Sequence, residues 1–418
     1  MEFSREAART MLLAAQGLGP APERPAAKDD VLGAVWRMGV LQIDSISVVA
    51  RSPYLVLWSR LGSYDPVWLD ELLAEGALFE YWSHAACFIP IEDYGLYRRR
   101  MLDGLEEARA WISAHPEEIG HVMARVRENG PVRSAEFGRT DGKAGGWWEW
   151  KPEKQALEHL YTAGEFMISR RDPNFHRVYD LRERVLQHAL PNWKDGLAPT
   201  PEEVRRALAL KAVRALGVAV ARWVPDYFRN PKRGIAGLLE GLADEGSLLR
   251  ARIEGLEDPA YVHPDNMALA EAVASGGLEA SRTTLLSPFD PIVWDRARAS
   301  EIFGFEYKIE VYTPAARRRY GYYSLPILHR GALVGRLDAK AHRKRGLFEI
   351  KTAHLEPGVP VSDEIVTALA GALRDCAAWH GTPEVLVNRS DPPDLAGPLR
   401  TAVEDAARLP PLRHERVR

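Results

Sequence analysis

Cysteine is almost absent from this chain: 418 residues contain only Cys87 and Cys376, far apart and in no CxxC pair. That scarcity argues against a disulfide framework and against a cysteine-built zinc site. Also missing is any run of about 20 apolar residues of the kind that spans a bilayer. Met1 to Gln16 carries acidic side chains and only a short apolar run, unlike a secretory signal, so a cytoplasmic protein is expected. A strong charge of either sign is lacking as well. The net charge of −3 counts against a dedicated nucleic-acid binder, which is usually basic overall. No GxxxxGK[ST], HExxH or GxSxG run occurs, and no metal-ligand spacing, so no nucleotide or metal cofactor is expected.

What is present describes an ordinary globular protein, 46% apolar and 27% charged, long enough for two to four domains. Its charge is unevenly spread. Between Tyr312 and Arg345, nine lysines and arginines face the single acid Asp338. The run begins with Arg317, Arg318 and Arg319, ends with Arg343, Lys344 and Arg345, and is interleaved with Tyr320, Tyr322 and Tyr323. Two readings stand: a solvated face, or a surface that tracks phosphates.

The most informative stretch is Val40-Leu41-Gln42-Ile43-Asp44-Ser45-Ile46-Ser47-Val48-Val49-Ala50-Arg51. Apolar side chains at 41 and 43 alternate with an amide and a carboxylate. Residues two apart share a face only in extended chain. On a short strand Gln42 and Asp44 can therefore act together, with Leu41 and Ile43 anchoring them to the core. A carboxylate beside an amide can hold a water and stabilise a developing positive charge. The competing reading makes Asp44 an N-cap for a helix from about Ile46.

A weak repeat, L-x-x-L-x-x-x-G-x-(L/F), occurs at Leu69 to Leu78, Leu157 to Phe166 and Leu239 to Leu248. In each copy the leucines mark one face of a helix, and glycine falls where a left-handed residue would end it. Each is followed by a hairpin pattern, as in Phe166 to Arg170, a turn at Asp172-Pro173-Asn174, then Phe175 to Tyr179. A helix that feeds a two-stranded hairpin is the second half of a winged helix. Upstream, a helix over Asp29 to Met38, a lone strand at Gln42–Asp44, a helix over Glu117 to Glu128 and a short middle helix over Val132 to Phe137 complete the pattern. The alternative is three unrelated amphipathic helices with hairpins.

Beyond Pro264 the character changes. Alternating runs at Tyr307 to Tyr312, Tyr320 to Leu328, Ala332 to Ala341 and Leu347 to Leu355 predict an antiparallel small barrel or curled sheet. An amphipathic helix over Asp363 to Trp379 and a loose tail follow. The expected fold class is α+β, three tandem winged-helix (helix-turn-helix) domains with a C-terminal antiparallel β-barrel. The expected bounds are 1–112, 113–195, 196–280, 281–358 for the barrel, and 359–418 for helix and tail.

Five blocks together resemble the AlkZ/YcaQ-like winged-helix DNA glycosylases. They are Leu41 to Arg51, Tyr81-Trp82-Ser83-His84-Ala85-Ala86, Gly146-Trp147-Trp148-Glu149-Trp150-Lys151, Leu286-Ser287-Pro288-Phe289-Asp290-Pro291 and Phe303-Gly304-Phe305-Glu306-Tyr307. The resemblance implies tandem winged helices and a β-barrel around duplex DNA. It also implies hydrolysis of the N-glycosidic bond of N7-alkylated guanine, including the unhooking of interstrand crosslinks. The chain has the Gln-apolar-Asp form of the family's catalytic motif, at Gln42-Ile43-Asp44, which resembles the broad-specificity branch.

An N7-alkylated guanine is cationic and already a good leaving group, so one carboxylate should suffice where most glycosidases need two. Asp44 would stabilise oxocarbenium character and take a proton from water, while Gln42 positions that water. A crosslinked base resists extrusion, which favours a shallow site at the edge of a groove. Ser45, Arg51 and His84 could form its rim. Arg170 and Arg171 on a wing, with Arg317, Arg318, Arg319, Tyr320, Arg343 and Lys344, are the candidate DNA contacts. Trp147, Trp148 and Trp150 could stack on bases or form a hydrophobic anchor. The expected partner is alkylated or crosslinked duplex DNA, with no membrane, and the enzyme a cytoplasmic monomer on the bacterial nucleoid. The rival from another class is a non-catalytic winged-helix transcription factor, for which Gln42 and Asp44 would have no use.

Overall fold

The computed structural model describes residues 1–138 and 151–408. It divides into two compact units, Met1–Asp65 with the chain from Ala209 onward, and Pro66–Leu208.

In the first unit, helix α1 (Lys28–Met38) buries Val31, Ala34, Val35 and Met38, the i, i+3, i+4, i+7 stripe of an amphipathic helix. Asp30 starts it by accepting the Ala27 N–H at 2.7 Å. Gly39 ends it in the left-handed region (φ 75°), where a Cβ would meet Phe228 Cζ at 2.8 Å. Only glycine fits that turn, and the turn aims the chain into the two-residue strand β1 (Leu41–Gln42). The next helix, α2 (Ser52–Leu61), is buried all along its Ser52–Arg60 stretch, as an all-round apolar helix must be.

The helix expected from about Ile46 therefore begins six residues later. Residues 43–51 form neither helix nor strand, and two of their carbonyls are used elsewhere: Val48 accepts the Ala341 N–H at 2.9 Å and Val49 accepts from Arg343. Pro53, in the first turn, then sets the helix start.

The expected β-barrel is not formed. Strands β2 (Thr283–Leu285), β3 (Ser324–His329), β4 (Ala332–His342), β5 (Leu347–Leu355) and β6 (Glu384–Asp391) make one open five-stranded sheet in that order. β2 to β5 run antiparallel, and β6 joins β5 in parallel through helix α3 (Asp363–Trp379). Two features keep the sheet open. Tyr307 to Tyr312, expected as a strand, forms none, because Phe305 and Tyr307 stack on each other and around the buried Arg336 guanidinium instead. The segment past Pro360, expected as helix and loose tail, supplies an edge strand and two helices, α3 and α4 (Ala396–Arg408), that pack on each other and against β6. A parallel crossover puts a helix on the sheet, and the apolar stripe Ile365, Val366, Leu369, Leu373 and Cys376 finds its cover there rather than through closure.

The third copy of the repeat also lies in this unit. Helix Ile235–Asp244 ends before Gly246 (φ 79°), and strands Leu249–Ile253 and Ala260–Val262 form the hairpin. Val218–Val220 pairs on its far side, and Glu2–Phe3 adds in parallel to the other edge.

The second unit holds the hairpins of the other two copies. Gly76 (φ 79°) precedes Leu78–Trp82 and Ala86–Pro90; Gly164 (φ 71°) precedes Phe166–Arg171 and Arg177–Leu181. The middle helix predicted at 132–137 shrinks to one turn of 3-10 helix, Ser134–Glu136, after a strand, Val132–Arg133, paired with Arg177–Leu181. Glu136 folds back to accept the Arg133 N–H at 3.0 Å, which holds that turn. The fold is thus α+β, with repeated helix-turn-helix-like and sheet regions and, among the described residues, no closed barrel.

Candidate active site

Gln42 ends β1 and is 9% exposed. Its Oε1 is buried without a hydrogen-bond partner, an acceptor with capacity for a donor from outside the fold. Leu41 beside it is fully buried, while Ile43 is only half-buried. Asp44 lies just past the strand, half-buried. Its Oδ1 accepts the Ile46 N–H at 2.8 Å, a local side-chain turn. Since α2 starts only at Ser52, Asp44 does not cap a helix. Among the described residues this is its single hydrogen bond, and no cation pairs with it. Burial pushes the Asp44 carboxyl above its ordinary range, and the Ile46 N–H opposes this less strongly.

Tyr323, wholly buried at the head of β3, senses that carboxylate. Burial raises its phenol first, the nearby Ser287 hydroxyl works against burial, and the Asp44 charge raises it further. The hydroxyl of Tyr323 is not aligned for a hydrogen bond. Ser287 itself pairs with Ser52 at 2.8 Å, both fully buried, tying the start of α2 to the Leu286–Pro291 block. Sequence reading places Tyr323 only among the tyrosines of the basic run, and does not point to Ser52. Tyr323 is far from Asp44 in the chain, and a lone chain gives no local sign of that meeting.

Another carboxylate of the motif blocks has a different setting. Asp290 is fully buried and forms a two-pronged ion pair with Arg60, at 2.6 and 3.0 Å, while Oδ1 also accepts the Ile292 N–H at 3.0 Å. Both of its oxygens are committed to holding α2. Asp44 has an oxygen to spare.

Ser45 is exposed beside Asp44. Arg51 stands at the N-terminus of α2, close enough to Arg343 for its charge, after desolvation, to lower the Arg343 pKa. Arg343 and Lys344 lie exposed in the turn after β4, and the Val49 carbonyl ties that turn to the motif loop. Arg317 and Arg319 are also exposed. Arg318 is more committed, donating to the Thr313 carbonyl at 2.8 Å and lying over the Tyr322 ring. Tyr320 is half-buried, with Arg319 on one side and Arg336 at 4.1 Å on another. Phosphate-facing capacity is therefore unequal along the basic run, greatest at its two ends.

The remaining candidates belong to the second unit. His84 is half-buried in the turn between Leu78–Trp82 and Ala86–Pro90. Arg170 is exposed on its strand, whereas Arg171 donates to the buried Glu80 at 2.8 and 3.0 Å and lies over Phe175. Trp147, Trp148 and Trp150 lie outside the described residues. Among the described residues no cluster of three or more His, Cys, Asp or Glu could hold a metal ion. None of their helices is long and apolar enough to cross a membrane.

A family model described as DNA glycosylase AlkZ-like matches residues 35–379. That span holds Gln42, Asp44, Ser287, Asp290 and Tyr323. Among solved structures, the DNA glycosylase AlkZ of Streptomyces sahachiroi is similar, with a TM-score of 0.57 and 14% identity over 93% of this chain and 100% of that one. At such identity the likeness speaks for the fold alone.

Proposed function

The chain belongs to the AlkZ-like DNA glycosylase family, and from that premise we propose that it is a monofunctional glycosylase releasing N7-alkylated guanine from duplex DNA. Its substrates include interstrand crosslinks of the nitrogen-mustard type. The role is one of damage recognition and repair, with Asp44 and Gln42 as the catalytic pair.

The observation that carries this reading is the contrast between two acids. Asp290 is saturated by Arg60 and a backbone N–H, while Asp44, with its one local bond, keeps an oxygen for a ligand. Its raised pKa adds to the case, because a partly desolvated carboxylate interacts strongly with developing positive charge.

The chemistry follows from the charge on the lesion. The C1′–N9 bond breaks with its electron pair passing to the cationic base, which leaves neutral. The sugar gains oxocarbenium character, which the Asp44 carboxylate stabilises. A water oxygen bonds to C1′, and its proton passes to Asp44. The buried Oε1 of Gln42, without a partner in the fold, suits the second O–H of that water. No general acid is required, because the base leaves without a proton.

The test is release of free base from a duplex carrying N7-methylguanine or a nitrogen-mustard crosslink. The proposal expects free alkylguanine and an abasic site. Tight duplex binding with no base released under any condition would instead identify a non-catalytic DNA-binding protein.

A further inference from the structure

Away from Asp44, the first unit contains a cavity of about 630 Å³ between α1, α2 and the segment from Gly17 to Ala26. Its walls are partly apolar, from Pro20, Pro22, Leu61, Leu269 and Leu278. Its charge is unusual. Arg37, Arg60 and Arg282 all line it, and burial together with the Arg60 charge lowers the pKa of both Arg37 and Arg282.

The three cations are not equally compensated. Arg60 has Asp290. Arg24, also on the wall, has Asp30 at 2.7 Å. Arg282 is 6% exposed, and the only hydrogen bonds of its guanidinium among the described residues run from Nη1 to the Ser59 and Arg60 carbonyls. No carboxylate pairs with it there, and Arg37 has neither ion pair nor hydrogen bond among the described residues. Gly17 makes room for Arg37. In the left-handed region at φ 80°, it leaves space where a Cβ would come within 3.1 Å of Arg37 Nη1.

A buried guanidinium without a counter-ion is costly, and Arg282 is such a group in a cavity that the exposed Arg37 also lines, which calls for an anion. We propose that this cavity binds a small phosphate monoester, its phosphoryl group between Arg37 and Arg282 and its organic part against the leucines and prolines. A group carrying about −1.5 to −2 at neutral pH can answer both guanidiniums at once even though the exposed Glu23 also lines the cavity, where a carboxylate supplies only one charge. The planar guanidinium fork suits phosphate oxygens. The apolar wall and the volume leave space for a ring-sized substituent. The site is independent of the glycosylase reading and can succeed or fail without it.

The test uses the full chain and phenyl phosphate, with inorganic phosphate and benzoate as controls, read by calorimetry. Phenyl phosphate should bind saturably, tighter than inorganic phosphate, and benzoate should bind least. Arg37→Gln, at an open position that leaves the core untouched, should weaken phenyl phosphate by about tenfold, roughly 1.4 kcal/mol, with base release from damaged duplex unchanged. Arg282→Lys keeps the charge but loses the fork, and should also weaken binding while remaining folded by circular dichroism. A fourth arm asks whether undamaged duplex competes with phenyl phosphate. Absence of competition supports a small-molecule site, and full competition overturns it in favour of a backbone phosphate of DNA. Failure of phenyl phosphate to bind in the millimolar range, or equal binding by wild type and Arg37→Gln, overturns the proposal outright.

Discussion

Replacing Asp290 by asparagine tests whether the two motif acids have been told apart correctly. Asp290 and Arg60 are 0% and 1% exposed in their side chains and meet in two hydrogen bonds. Asparagine keeps an oxygen for one of those bonds but removes the charge that neutralises Arg60. Arg60 would retain its bonds to the Gln16 and Val56 carbonyls and to the Ser59 hydroxyl. Those satisfy its N–H groups and do not cancel its charge. Breaking a buried pair from one side costs about 3–5 kcal/mol. In a unit of this size each kcal/mol moves the melting temperature by about 2–4 °C, so a fall on the order of 10 °C is expected. Thermal denaturation by circular dichroism measures it, alongside base release normalised to folded protein. The double variant Arg60→Met, Asp290→Leu should recover much of the loss, since removing both charges leaves none unpaired. A variant that melts within about 1 kcal/mol of wild type yet has lost base release would refute the reasoning and put Asp290 in the chemistry.

Gln42→Ala should lower base release less than a change at Asp44, because water can partly orient itself on the carboxylate; a larger loss at Gln42 would reverse the two roles. The pH profile of base release from N7-methylguanine DNA should show an acid limb above the ordinary carboxylate range, since burial raises Asp44 and only its ionised form assists. The stability effect has the opposite sign. A raised folded pKa means the ionised carboxylate costs stability above that pKa, a cost that disappears as pH falls below the unfolded value. Asp44→Asn should therefore melt at or above the wild-type temperature at neutral pH, the gap closing on acidification, and a lower melting temperature would make Asp44 structural. Alanine at Arg317, Arg318 and Arg319 together should weaken damaged and undamaged duplex alike, with the log–log salt slope falling by roughly 0.9 per lost phosphate contact. An unchanged slope would return that run to ordinary solvated surface.

The parts of the fold that the residues announced were local. Gly76, Gly164 and Gly246 each adopt the left-handed turn that their place after a leucine pair required, and a hairpin follows each. The β4 and β5 strands were legible for the same reason, since alternation is visible within a few residues. What failed depended on distant partners. Alternation at Tyr307 to Tyr312 suggested a strand, but the Tyr307 ring lies against Arg336, about thirty residues on, and Tyr312 is exposed. Glu384–Asp391 has one strongly buried residue, Val387, and its strand pairing is in parallel with Leu347–Leu355, which no local pattern reveals. At the site, Gln42 and Asp44 stand out for what an amide and an acid two apart on extended chain can do, but the strand expected over Gln42–Asp44 is Leu41–Gln42, and Asp44 lies past it in its own side-chain turn. That Tyr323 senses Asp44 and that Ser287 pairs with Ser52 could not be read, because tertiary structure alone brings such distant residues together.

The most direct measurement is single-turnover release of N7-methylguanine from duplex DNA by wild type and Asp44→Asn, with duplex affinity and melting temperature recorded on the same preparations. Asparagine keeps the Oδ1 that accepts from Ile46 and removes only the charge. The account predicts a rate lower by on the order of 10²-fold or more, the scale of a lost electrostatic stabiliser, with affinity unchanged. Base release at the wild-type rate per folded molecule would contradict it.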